Sequence, residues 1–270
     1  MREESTQFYI PILLAIAVAA ALTYYWLQIG KGTTPEEPAS PQSIVEPALL
    51  EHESPLHPFP KVEFPERPGG ELVALPALDQ SDEYLKLALA EVLGSRAVAD
   101  MLADADLISK IVATIDNLPR DHVAGRIRPV AGLVNAFDVE IIGDNEFRIS
   151  PDSYRRYDAL VGMVSNADLK ELTEIYGRFY PLFQRAYEDL GYPNAYFNDR
   201  LVVVIDHLLV TPEVPEPVRV VRPHVLYEYA DMDIESLSSG QKILIRMGNE
   251  NASRIKKTLS ECRHLIANSD

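Results

Sequence analysis

The chain has 270 residues, a formal net charge of −16 and one cysteine, Cys262. An intramolecular disulfide is therefore excluded, and so acidic a chain is a poor match for nucleic acid or anionic lipid over most of its surface. With 21 basic and 32 acidic residues, the part after position 70 carries −11 of that charge.

A tail of seven residues, 1–7, precedes the first element. Phe8–Ile29 contains no charged residue. As a helix it is about 33 Å long, enough to cross the hydrocarbon core of a bilayer. Phe8 and Tyr9 at one end and Tyr24–Trp26 at the other sit where interfacial aromatics belong. Ala19–Ala20–Ala21 could serve as a signal-peptide cleavage site, but the apolar run continues past it through Ile29, which favours an uncleaved single-span anchor. The short tail with Arg2 tilts the orientation toward N-terminus inside and domain outside.

Residues 30–70 hold nine of the chain's 20 prolines. That density favours extended chain and forbids a packed core, so the segment reads as a spacer between membrane and domain. A docking peptide is the second reading.

Residues 71–270 read as one globular, mainly helical domain with one or two short β-hairpins. Ser81 is expected to cap a helix with Leu85, Ala88, Leu89 and Val92 on one face, closed by Gly94. Ser95 and Asp106 are expected to cap two more, the second ended by Pro119. Arg120–Leu133 is ambiguous. Alternation at Phe137, Val139 and Ile141, a Gly143–Asp144–Asn145 turn, and alternation at Phe147 and Ile149 predict a hairpin. Ser150–Pro151 is a cap followed by proline at the first helical position. Tyr154, Tyr157, Val161 and Val164 then share a face.

The longest helical signal runs from Leu169 to Leu190, with an aromatic stripe at Tyr176, Phe179, Phe183 and Tyr187. Pro181 inside it predicts a kink or break. A further helix spans Phe197–Leu208. Val218–Val221 and Val225–Tyr229 are extended, Asp233 caps a turn, Ser239–Met247 is helical, and Asn249 caps the last helix. Between Lys242 and Arg263 six basic residues face two acidic ones.

The blocks RRYDALV (155–161), IYGRFYPLFQRAYEDLGYP (175–193), DHLLVTP (206–212) and LSSGQKILIRMGNENASRIKKTL (237–259), with ALPALDQSD (74–82) and DNLPR (116–120), resemble the bacterial family called domain of unknown function 3014. The resemblance covers nearly all of the chain after position 70. It implies an envelope protein with one N-terminal span and a proline-rich tether. It transfers no catalytic residue, because the family has no established activity.

No catalytic motif, metal-ligand spacing or phosphate-cradling loop stands out, so no cofactor is expected. Glu188–Asp189 point to different faces of a helix. Asp206–His207 near a helix end reads as a polar face, with His207 well placed for the helix dipole. Cys262 lies in an apolar stripe and reads as a core residue.

The expected function is a membrane-tethered periplasmic binding module of the bacterial inner membrane, acting on another envelope protein or the cell wall. The alternatives are a cell-envelope hydrolase with an unrecognised site and helix-hairpin-helix-like DNA binding by the C-terminal helices. Nucleic acid is not the expected partner. Arg156, Gln241, Lys242, Arg246 and Asn251 are the candidate binding residues, and the same residue types would equally serve to satisfy loop and cap backbone groups.

Overall fold

Helical stripes punctuated by glycine and proline, and one stretch of alternation, set the architecture. The computed structural model describes residues 54–59, 75–123, 125–130 and 136–267. The apolar run 8–29 and most of the strap 30–70 lie outside these residues. Among the described residues, no helix is long and apolar enough to cross a membrane.

The elements in chain order are α1 (Asp82–Leu93), α2 (Ser95–Met101), α3 (Leu107–Asn117), β1 (Val139–Gly143), β2 (Glu146–Ile149), α4 (Pro151–Arg155), α5 (Asp158–Asn166), α6 (Leu169–Asp189), α7 (Phe197–Leu209), β3 (Arg219–Val221), β4 (Glu228–Tyr229), α8 (Met232–Glu235), α9 (Ser239–Arg246) and α10 (Asn249–Ala267). The α6 helix is the spine. Its buried face, including Leu172, Tyr176, Phe179, Phe183 and Tyr187, meets α1, α3, α7 and α10. The aromatic stripe is thus core for most of its length. Pro181 does not divide the helix, which runs unbroken from Leu169 to Asp189.

The two predicted hairpins join into a single antiparallel sheet of order β1-β2-β3-β4. Phe147 pairs with Val220, and Val220 with Tyr229. Beneath the sheet lies a second apolar cluster of Ile149, Val218, Val220, Tyr229 and Ile245. The α9 helix serves both clusters: Ile243 and Leu244 enter the helical core while Ile245 enters the sheet core.

Several expected caps are replaced by more distant groups. Ser81 Oγ donates back to Leu78 C=O and does not cap α1. Asp106 adopts a left-handed conformation (φ 57°) and makes no side-chain cap. The start of α3 is held instead by Asp82, whose carboxylate accepts from the Asp106 and Leu107 amides at 2.7 Å each. A carboxylate there suits the positive end of the helix dipole. Asn249 is the first residue of α10 and not its side-chain cap; its Nδ2 donates to Val214 C=O, and Glu216 accepts its amide. The cap of α8 is Asp231, not Asp233. The stripe after Ser150 is also divided. Ser150–Pro151 opens α4 as expected, but Tyr154 packs on the sheet cluster while Tyr157, Val161 and Val164 enter the helical core.

Candidate binding site

The five residues nominated from sequence fall at the seam between sheet and helices. Gln241 closes a capping box at the start of α9: its amide donates to Ser238 Oγ (3.3 Å), and Ser238 N–H donates to Gln241 Oε1 (3.4 Å). Asn251 is buried, and its Nδ2 faces Asp158 Oδ1 (2.8 Å) and the carbonyls of Met247 (3.2 Å) and Tyr154 (3.3 Å). Lys242 Nζ donates to the carbonyl and carboxylate of Glu235, both at 2.9 Å. These three bind helix ends and loops to one another.

Arg156 and Arg246 are brought together. Their guanidinium carbons stand 5.2 and 5.0 Å from the centre of the same Phe137 ring. Arg156 also lies over Tyr157, and Arg246 over Tyr229. Cation–π stacking of this kind suits arginine, whose planar head is weakly hydrated. Burial pushes the Tyr229 hydroxyl well up, Arg246 opposing the shift.

The block DNLPR meets the block LSSGQ end to end. Gly240 N–H donates to Leu118 C=O (2.9 Å), and Ser239 N–H to Arg120 C=O (2.8 Å). The orphan amides opening α9 are thereby satisfied by the C-cap carbonyl of α3 and by a carbonyl of the turn just after it. Only glycine fits at the crossing: a Cβ at Gly240 would stand 2.7 Å from Leu208 Cδ2 and 3.1 Å from Leu118 O. Beside it, buried Asp116 accepts from Arg200 Nε (2.9 Å), Arg120 Nη2 (3.0 Å) and Tyr192 OH (3.3 Å).

The groups weighed for catalysis are engaged elsewhere. Asp206 pairs with Arg263 (2.9 Å), while His207 Nε2 lies 2.7 Å from Ser238 Oγ. Burial, then the Arg200 charge, lowers the His207 pKa below its ordinary value, against the gain expected from the helix dipole. Glu188 pairs with Gln184 and Asp189 with Arg185. Burial pushes the Cys262 thiol well up, as befits a core residue. Among the described residues no group of three His, Cys, Asp or Glu side chains could hold a metal ion. Of the C-terminal cations, Lys256 donates to Thr211 C=O, Lys257 lies 4.0 Å from Glu261, and Arg263 pairs with Asp206.

One site escaped sequence reasoning. Residues 54–59 of the strap lie across the N-terminal turn of α7 and the middle of α6. The Asp199 carboxylate accepts from two successive amides, Leu56 N–H at 3.0 Å and His57 N–H at 2.7 Å. Asn198 Nδ2 donates to His57 C=O at 2.8 Å. Phe59 sets its ring edge-on to Tyr176 (5.0 Å) and stacked on Tyr180 (5.7 Å). Pro55, His57 and Phe59 are half-buried, while Ser54, Leu56 and Pro58 are exposed; the chain bends at Ser54 and again at Leu56 and His57, so that two successive amides face the same carboxylate.

With the segment in place the receiving side chains are buried: Asn198 is 0 % exposed and Asp199 7 %. Asn198 is fixed from the other side, donating to Ile266 C=O (3.0 Å) and accepting from Tyr176 OH (3.3 Å). Gln184 braces the approach, donating to Ala195 C=O and accepting from Phe197 N–H, both at 2.9 Å. Burial pushes the Tyr180 hydroxyl up to about 12; the Asn198 backbone hydrogen bond opposes this and the Asp199 charge adds to it. The available signal was an aromatic residue in a proline-rich strap, Pro-Leu-His-Pro-Phe, which composition alone reads as spacer.

No curated protein and no solved structure matches the chain. A family model described as protein of unknown function (DUF3014) matches residues 107–263, a range that contains the receiving groove but not the segment lying in it. That match spans more than half of the sequence, so the chain belongs to the DUF3014 family.

Proposed function

We propose that this protein is a membrane-tethered binding module of the bacterial cell envelope, held by residues 8–29 in the inner membrane with its domain on the periplasmic side. Its partner is another envelope protein, gripped through a short bent peptide segment in the α6–α7 groove. The observation that carries this reading is the use of two buried side chains, Asp199 and Asn198, to bind consecutive main-chain groups of a distant segment. Main-chain recognition with a pocket for one side chain is a recurring way to bind peptides. The charge-free run and the proline-rich strap supply the anchor and spacing.

The test uses a photo-crosslinking amino acid in place of Tyr180 in the full-length protein, irradiated in intact cells. Adducts to the 54–59 segment and to a second envelope protein are expected. Intrachain adducts alone would overturn the partner reading. For the location, protease added to spheroplasts should cleave the domain from the membrane; protection until lysis would place it on the other side.

A further inference from the structure

We infer that residues 54–59 are a replaceable ligand of their own domain: a latch that fills the peptide groove in cis and must leave before another peptide enters. This rests on the peptide-binding reading above and adds its ligand class and its control. The ligand class is a short bent peptide of the pattern Pro-x-x-Pro-aromatic.

The bonds define that pattern. The two amides taken by Asp199 belong to Leu56 and His57, the residues between Pro55 and Pro58. Pro58 has no N–H, so it leaves no donor to satisfy, and the rings of Pro55 and Pro58 fix φ at both positions. Less conformational freedom is therefore lost on binding. Leu56 is 52 % exposed, so the groove asks little of that side chain. The demand for a ring comes from Tyr176 and Tyr180, which receive Phe59.

Two features make the occupant replaceable. First, Asn198 is oriented by Ile266 C=O and Tyr176 OH, groups of the domain itself, so the groove keeps its shape when the segment leaves. Second, the segment adds only the partly buried Phe59 to the helical core. The occupant is favoured by connection: 15 residues, 60–74, link it to the described start of the domain. A tether of that length gives an effective concentration on the order of millimolar, which a peptide in free solution must overcome.

The test uses the full-length chain in detergent with fluorescein-labelled ESPLHPFP, the sequence of residues 53–60. Wild type should bind this probe weakly. Phe59→Ala removes the ring of the internal ligand and should tighten probe binding by about tenfold or more. His57→Pro, which removes one of the two amide donors, should do the same by a second route. Adding Asp199→Asn to either variant should abolish binding. In wild type the Leu56 and His57 amides should exchange slowly, and in Asp199→Asn rapidly. Equal probe affinity for wild type and both released variants would overturn the latch while leaving peptide binding in place. Slow exchange with no probe binding to any variant would show a fixed part of the fold and overturn both. Rapid exchange of the two amides in wild type would overturn the latch directly.

Discussion

The α3–α9 joint and the α6–α7 groove use the same device to different ends. Each satisfies backbone groups of one segment with buried polar groups of another. At the joint, the segments are helix ends enclosed by the core, and Gly240 is packed so closely that a single added carbon would collide with Leu208. In the groove, the satisfied backbone belongs to six residues that otherwise stand mostly outside the core. Satisfaction of buried polar groups is thus no sign of permanence by itself. What distinguishes a fixed contact from an exchangeable one is how much apolar surface is buried along with it.

That contrast can be broken by substitution. Asp116→Ala should have the largest effect, because it leaves Arg200 buried without its carboxylate; a loss of about 3–5 kcal/mol in unfolding stability is expected by urea titration. Gly240→Ala should cost about 2–3 kcal/mol, since Leu118 O is backbone and cannot step aside. Asp199→Ala should cost only about 1 kcal/mol globally, near the net worth of an ordinary hydrogen bond. It should still release the Leu56 and His57 amides to fast exchange. A global loss as large as that of Asp116→Ala would erase the distinction between joint and groove.

The smallest effect is expected at His207, beside the joint. Its pKa is lowered in the fold from 6.5, chiefly by burial. The unfolded chain therefore takes up this proton first as pH falls. The His207 contribution is present above about pH 6.5, is lost as pH falls from there to the lowered folded value, and is constant below it. Comparing urea midpoints of wild type and His207→Gln between pH 7.5 and 5 would check this; an identical pH dependence would dismiss it.

Local features were legible in the sequence and non-local ones were not. The Ser150–Pro151 start, the turn before Glu146 and the Gly94 stop are each written within a few residues, and the structure has them. Pairing of β2 with β3 joins segments on either side of four helices, and periodicity carries no trace of it. Asp82 reads as a first-turn acid of α1, yet its carboxylate caps the start of α3. Asp199 likewise reads as a first-turn acid of α7, and nothing in its neighbours announces a partner 142 positions away. Gln241 was legible as a cap-satisfying residue because a capping box has a fixed spacing, whereas two of the three partners of Asn251, Tyr154 and Asp158, come from distant segments. The stacking of Arg156 and Arg246 on one ring required the fold.

On the membrane-anchored reading proposed above, the docked segment would also act as a ruler. With residues 8–29 in a bilayer, residues 30–53 alone would set how far the docked point can stand from the membrane, at most about 85 Å for fully extended chain. Undocked, residues 30–74 would set the limit, about 160 Å. Since volume grows with the cube of reach, release would enlarge the space open to the domain roughly sevenfold on this limit. A peptide that takes the groove would thus do more than occupy a site: it would let out the chain, so that capture of one partner extends the range over which the rest of the domain can meet another.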